Sequence, residues 1–302
     1  MSERSYAPVS RRARRDIRFF RKSLFSLCAL MLAVAHGPHF APPAGAAEAG
    51  QTIPDFSGYW ARPEPGPQRI FYQPENGPGP VGFAADAGEM RRGIPMMGDH
   101  TNPILLPQAA AAVKAQADRF RAGGFVWPAW SLCRHPGVPL ALNMAEPVQF
   151  LQTDDQITII YQRGQQVRRI DIDKAHPDSP LVQWNGHSVG HYEGTHTLVV
   201  DTIAQDTRSV VDRFGTPKSA AMRVVERYTI SADGQSLDVE FTVEDPGMFT
   251  TAWSSRVPYE KLPPRVDDGP QEGEFAEINC SENNRNPGGG EFSSPFDDKP
   301  DF

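Results

Sequence analysis

Four of the chain's eight histidines, His176, His187, His191 and His196, fall within 21 residues, with Glu193, Asp201 and Asp212 among or just after them. Histidine titrates near neutrality, so a ring oriented by Asp201 or Asp212, with Arg227 or Arg168 to hold an anion, is a constellation for acid–base chemistry. His187, flanked by Gly186 and Ser188, is the first candidate for proton transfer. Asp212 is the candidate orienting carboxylate, Arg227 the anion-holding group, and Glu193 completes the candidate catalytic set. A plainer reading stands beside this one: Asp212 caps the turn before Gly215, and Glu226-Arg227 pairs with neighbouring strands.

Strand geometry decides which of these groups can meet. Side chains alternate along a strand, so His187, Val189, His191 and Glu193 share one face while Gly186, Ser188 and Gly190 share the other, where small residues let a backbone or ligand approach closely. A metal reading would use His187, His191 and Glu193 as ligands. Positions i and i+4 on a strand lie about 13 Å apart, too far for one ion without a bulge, so no metal or other cofactor is expected. Nucleophilic hydrolysis is poorly supported, because Ser188 sits in a β pattern without the strand-to-helix elbow of Gly-x-Ser-x-Gly. No glycine-rich phosphate loop precedes a helix.

The elements that must position these residues read as mostly β. Short β-rich runs separated by turns begin at Pro147: Val148 to Gln152, Ile157 to Tyr161, Val167 to Ile172, Gln183 to His191, His196 to Thr202, Ala221 to Ile230, Leu237 to Val243 and Thr250 to Val257. Ala232-Asp233-Gly234-Gln235 is a hairpin signal. A further short strand is expected within Pro54 to Trp60, and Pro107 to Arg121 is the one clear helix, with proline at its start, alanines within and Gly123-Gly124 after it. Eight or nine strands in series leave open edges unless the sheet closes. An antiparallel meander closed into a barrel or bent sandwich, with one helical segment, is therefore expected.

The ends of the chain bear on compartment. Basic residues from Arg11 to Lys22, an apolar run from Ser23 to Ala35 and the small residues Ala44-Gly45-Ala46 have the three parts of a signal peptide over residues 1–46, too short in its apolar run for a stable span. A single β-rich domain over 47–285 and an acidic, Gly/Pro-rich tail over 286–302 are expected to follow. Eight of the 30 basic and two of the 37 acidic residues lie in 1–46, leaving 22 against 35. A domain so acidic has no general attraction for nucleic acid or anionic lipid, which leaves a small molecule as the expected partner and no stable membrane span after processing. Removing the leader also leaves Cys133 and Cys280, which an oxidising periplasmic or secreted setting would join as a disulfide, the alternative being two buried thiols.

The order and spacing of several motifs carry a resemblance. Phe56-Ser57-Gly58-Tyr59-Trp60, Cys133 before Pro136-Gly137, Trp184-Asn185-Gly186-His187-Ser188, Gly190-His191-Tyr192-Glu193-Gly194, Leu198-Val199-Val200-Asp201-Thr202, Glu226-Arg227 and Asp245-Pro246 resemble a widespread family of exported, functionally uncharacterised bacterial proteins. Tyr192 stands where that family has tryptophan, the turn at Thr195-His196-Thr197 is a residue longer, and Lys218 stands where a histidine is usual. Gly58-Tyr59-Trp60 is also similar to the opening of lipocalin-type barrels, which implies a closed barrel around a small, partly apolar ligand. The resulting expectation is an exported barrel handling such a molecule by cofactor-free isomerase, lyase or hydratase chemistry. Its alternatives are a non-catalytic binding or carrier protein and an envelope interaction protein.

Overall fold

A computed structural model describes residues 53–63, 71–87, 96–122 and 134–263. Nine strands close into one barrel in sequence order: β1 (Gly58–Ala61), β2 (Val148–Gln152), β3 (Gln156–Tyr161), β4 (Gln166–Ile172), β5 (His187–Glu193), β6 (Thr197–Ile203), β7 (Arg223–Ile230), β8 (Ser236–Glu244) and β9 (Trp253–Lys261). β1 closes the ring by pairing with both β2 and β9. Closure follows from the alternation of the strands. Leu237, Val239, Phe241 and Val243 of β8 are buried while Ser236, Glu240 and Glu244 are exposed, and β7 repeats the pattern with Val224, Glu226, Tyr228 and Ile230 inward. The outward positions of β7 to β9 carry charges such as Arg227, Glu240 and Arg256, the opposite of a barrel whose wall faces lipid. Of the described helices, none is long and apolar enough to cross a membrane.

Trp60 points inward from β1, fully buried, with its indole N–H donating to the Phe56 carbonyl at 2.9 Å. The inward set also includes Phe150, Ile157, Ile159, Leu198, Val200 and Val257, and a barrel of this strand number is narrow enough for such side chains to fill. Phe71 packs edge-on against Phe241, with ring centroids 5.1 Å apart, and lies 5.9 Å from Trp253. The helix α1 (Pro107–Arg121) buries Ala109, Val113 and Ala117, one stripe at four-residue spacing. Gln116 of α1 donates to the Arg213 carbonyl at 2.8 Å and so ties the helix to the loop after β6.

The sheet departs from the expected meander at one seam: β4 and β5 run parallel. A parallel neighbour needs a crossover rather than a tight turn, and residues 173–186, with Pro177 and Pro180, supply one without a helix. β5 also starts later than the expected Gln183. The Gly186 amide donates to the Gln183 carbonyl at 3.0 Å, and Gly186 has φ +68°. A Cβ there would come within 2.5 Å of the Ile203 carbonyl, so only glycine fits this turn. The parallel ladder therefore covers just Ile170↔Ser188 to Ile172↔Gly190. Upstream of it the two chains diverge.

The Cys133–Cys280 disulfide is a correction. None of the three cysteines lies near disulfide distance of another, and bonding needs Cα atoms within about 7 Å. Cysteine count and compartment imply pairing, but neither constrains distance. All three cysteines, the leader, the tail and Gly123-Gly124 lie outside the described residues.

Candidate functional site: the cleft at the β4–β5 seam

Where β4 and β5 part, a cleft of about 530 Å³ opens in the barrel wall, within the range of small-molecule sites. Its rim is built by Val167, Arg169, Trp184 and His187, and it reaches Gln166, Arg168 and Ser188, which belong to the barrel interior. The guanidinium of Arg208 lies over the Trp184 ring, 4.6 Å from its centroid, and is paired with Asp206 at 2.8 Å. His135 meets the same ring edge-on, and burial pulls its pKa down, which favours the neutral imidazole.

Beneath the cleft, Arg168 is 1% exposed and Glu226 is fully buried. All five guanidinium N–H groups have acceptors. Nε donates to Ser188 Oγ (3.1 Å), Nη1 to Glu226 Oε1 (2.9 Å) and the Tyr228 hydroxyl (3.3 Å), and Nη2 to Thr202 Oγ1 (2.7 Å) and Glu226 Oε2. Tyr228 in turn donates to Glu226 Oε1 at 2.7 Å. Burial alone would lower the Arg168 pKa, but the Glu226 carboxylate and its neighbours hold it well above its ordinary value. Alternation places Gln166 and Arg168 on the face of Ile170 and Ile172. Polar residues at core-facing period-two positions are therefore the sequence signal by which this part of the site could have been found.

His187 lines the cleft and is half-buried, on the outward face of β5 as the alternation implies. Its Nδ1 lies 2.9 Å from Nδ1 of His176, a residue of the crossover, whose Nε2 is 3.6 Å from Asp201 Oδ2. Asp201 is held on its other side by Arg223 Nε and Nη2, at 2.8 and 2.9 Å. Desolvation lowers the His176 pKa, with Asp201 pulling the other way. The partner of His187 is thus another histidine, with the carboxylate one step further along. His176 lies eleven residues upstream in a crossover, where no strand periodicity reveals which way it turns.

The remaining candidates have other partners. Arg227 and Glu193 pair with each other at 2.7 Å on the exposed outer wall, and the Arg227 hydrogen bond keeps the Glu193 pKa low. Asp212 is buried and accepts from Phe214 N (2.8 Å), Thr216 N (3.2 Å) and Thr216 Oγ1 (2.6 Å), all within its own turn. Desolvation raises its pKa against those hydrogen bonds. Asp212→Ala leaves two buried amides and a hydroxyl without acceptors, so a loss of about 1–3 kcal/mol of stability is expected in denaturant unfolding.

Lys218 lies behind the cleft. It is 3% exposed, and among the described residues its Nζ has two long contacts, to the Gln205 Oε1 at 3.3 Å and the Pro136 carbonyl at 3.4 Å. Gly137, beside Pro136, has φ +64°, and a Cβ there would meet the Trp184 carbonyl at 2.3 Å. The Pro136-Gly137 backbone thus packs between Lys218 Nζ and the Trp184 carbonyl at the back of the cleft.

A second, larger groove of about 760 Å³ runs between residues 72–76 and the outer wall of β7 to β9. Its arginines are committed, Arg227 to Glu193 and Arg256 to Asp238. Among the described residues, no buried unpartnered side-chain atom belongs to its lining, whereas Gln166 and Asn185 each contribute one to the β4–β5 cleft. Among the described residues, too, no group of three or more His, Cys, Asp and Glu side chains converges as metal ligands. The chain matches no protein-family model and shows no significant similarity to a curated protein.

Proposed function

We propose that the protein is an exported barrel that binds a small polar molecule in the β4–β5 cleft without transforming it. The observation that carries this reading is the cleft itself: a gap in the wall whose inner surface presents Arg168, its N–H groups already engaged by Glu226 and three hydroxyls behind it, and whose rim combines amides, imidazoles and a tryptophan. A satisfied pair is a rigid surface rather than a reactive one, and Asp212, Arg227 and Glu193 have partners of their own. The resemblance to exported bacterial proteins adds the expectation of work outside the cytoplasm.

A thermal-unfolding screen of the full chain against small polar metabolites tests it. At least one compound is expected to raise the melting temperature in wild type and not in Asn185→Trp, which fills the cleft. Equal stabilisation of both proteins refutes the site. One observation favours a catalytic second reading, the chain His187, His176, Asp201 opening on the same cleft. It requires turnover of the bound compound that His176→Ala abolishes while binding remains.

A further inference from the structure

Two amide oxygens in the cleft lack hydrogen-bond donors. Gln166 is 3% exposed, and its Oε1 has no partner among the described residues; Asn185 Oδ1, in the turn before β5, is buried and equally without one. Neither amide is free to flip. Asn185 Nδ2 donates to the Val167 carbonyl at 3.1 Å and Gln166 Nε2 to the Arg163 carbonyl at 3.4 Å, so exchanging N for O would set oxygen against oxygen. Buried acceptors in native proteins are nearly always satisfied, and exceptions call for a cause. Both residues line the same cleft.

We propose that the cleft is a saccharide site, in which ligand hydroxyls donate to Gln166 Oε1 and Asn185 Oδ1. This rests on the binding reading above and names its ligand class. The remaining lining narrows the choice among donor-bearing ligands. A cation would suit two bare acceptors, but Arg168, Arg169 and Arg208 border the same space. An anion would suit Arg169, but Asp171 and Asp206 stand there too, and the whole chain is net acidic at −7. Asp171 lies 3.2 Å from Lys174 and Asp206 2.8 Å from Arg208, so charges of both signs border the cleft in pairs and neither kind of ion meets a field of one sign. What remains is a demand for groups that both donate and accept, which is the property of a hydroxyl. Trp184, Val167 and Val182 supply apolar surface for the C–H faces of a sugar ring.

The experiment applies the full chain, wild type and Gln166→Leu, to an array of plant, fungal and bacterial cell-wall glycans, alongside the metabolite screen described above. The expected result is saturable binding to one glycan class, competed by the free saccharide and at least tenfold weaker in Gln166→Leu, whose denaturation midpoint is no lower than wild type. A structural role gives the reverse signature. If a buried water joins Gln166 Oε1 to the hydroxyl of its cross-strand neighbour Tyr161, Gln166→Leu lowers the midpoint and leaves binding intact, which overturns the proposal. Should Gln166→Leu not fold, Asn185→Ala carries the same comparison. If no glycan binds but a non-saccharide metabolite does, and Asn185→Trp abolishes that, the saccharide assignment falls and the binding reading stands. If Asn185→Trp changes no binding of either kind, both fall.

Discussion

Arg168→Met is expected to cost about 3–5 kcal/mol of folding stability, and Glu226→Leu a similar amount, while the double variant costs far less than the sum. Each single change strands a charge at a site 1% exposed or less. Arg168→Met leaves Glu226 with only the Tyr228 hydroxyl, and Glu226→Leu leaves a guanidinium with three neutral oxygens. Removing both groups removes the desolvation cost with the attraction. Urea unfolding of the three variants measures the coupling. Additive losses would mean that the two charges do not depend on each other inside the barrel.

Lys218→Met is expected to stabilise the protein, and by more at pH 6 than at pH 10. Burial, only partly opposed by Asp206 and Asp245, pulls the Lys218 pKa from 10.5 to about 7. The unfolded chain then binds one more proton than the folded chain between about pH 7 and 10.5, so wild-type stability rises with pH across that window by up to about 1.4 kcal/mol per pH unit. Below pH 7 both states are protonated and the full cost, at most about 5 kcal/mol, is present. The variant lacks this slope. Part of the gain is offset because Gln205 Oε1 loses its contact. Chemical denaturation at several pH values reads the difference, and parallel stability curves for the two proteins would show that Lys218 titrates normally.

The fold was legible wherever period-two alternation met a turn signal. β2 and α1 occupy the residues expected of them, and Leu237, Val239, Phe241 and Val243 face inward as their spacing implied. The bend at Gln183 to Gly186 was signalled by the turn dipeptide Asn185-Gly186 and passed over for the run to His191, whereas the parallel pairing that follows depends on how the crossover returns to β4. That missed turn is what opens the cleft. Of the candidate site, the outward face of His187 followed from alternation. Its pairing with His176 depends on how a 14-residue crossover folds back, which local pattern does not encode. Arg227 of β7 reaches Glu193 of β5 diagonally across β6, where Val199 stands opposite both Arg227 and His191 while Glu193 stands opposite Thr197. Register of that kind is a property of the closed sheet rather than of any one strand.

A crystal structure of the full chain with the compound that stabilises it most is the direct test of the β4–β5 cleft as the binding site. The expected density lies between Val167, Trp184 and His187, with donors of the ligand on Gln166 Oε1 and Asn185 Oδ1. Density instead in the groove between residues 72–76 and the outer wall of β7 to β9 would contradict the assignment.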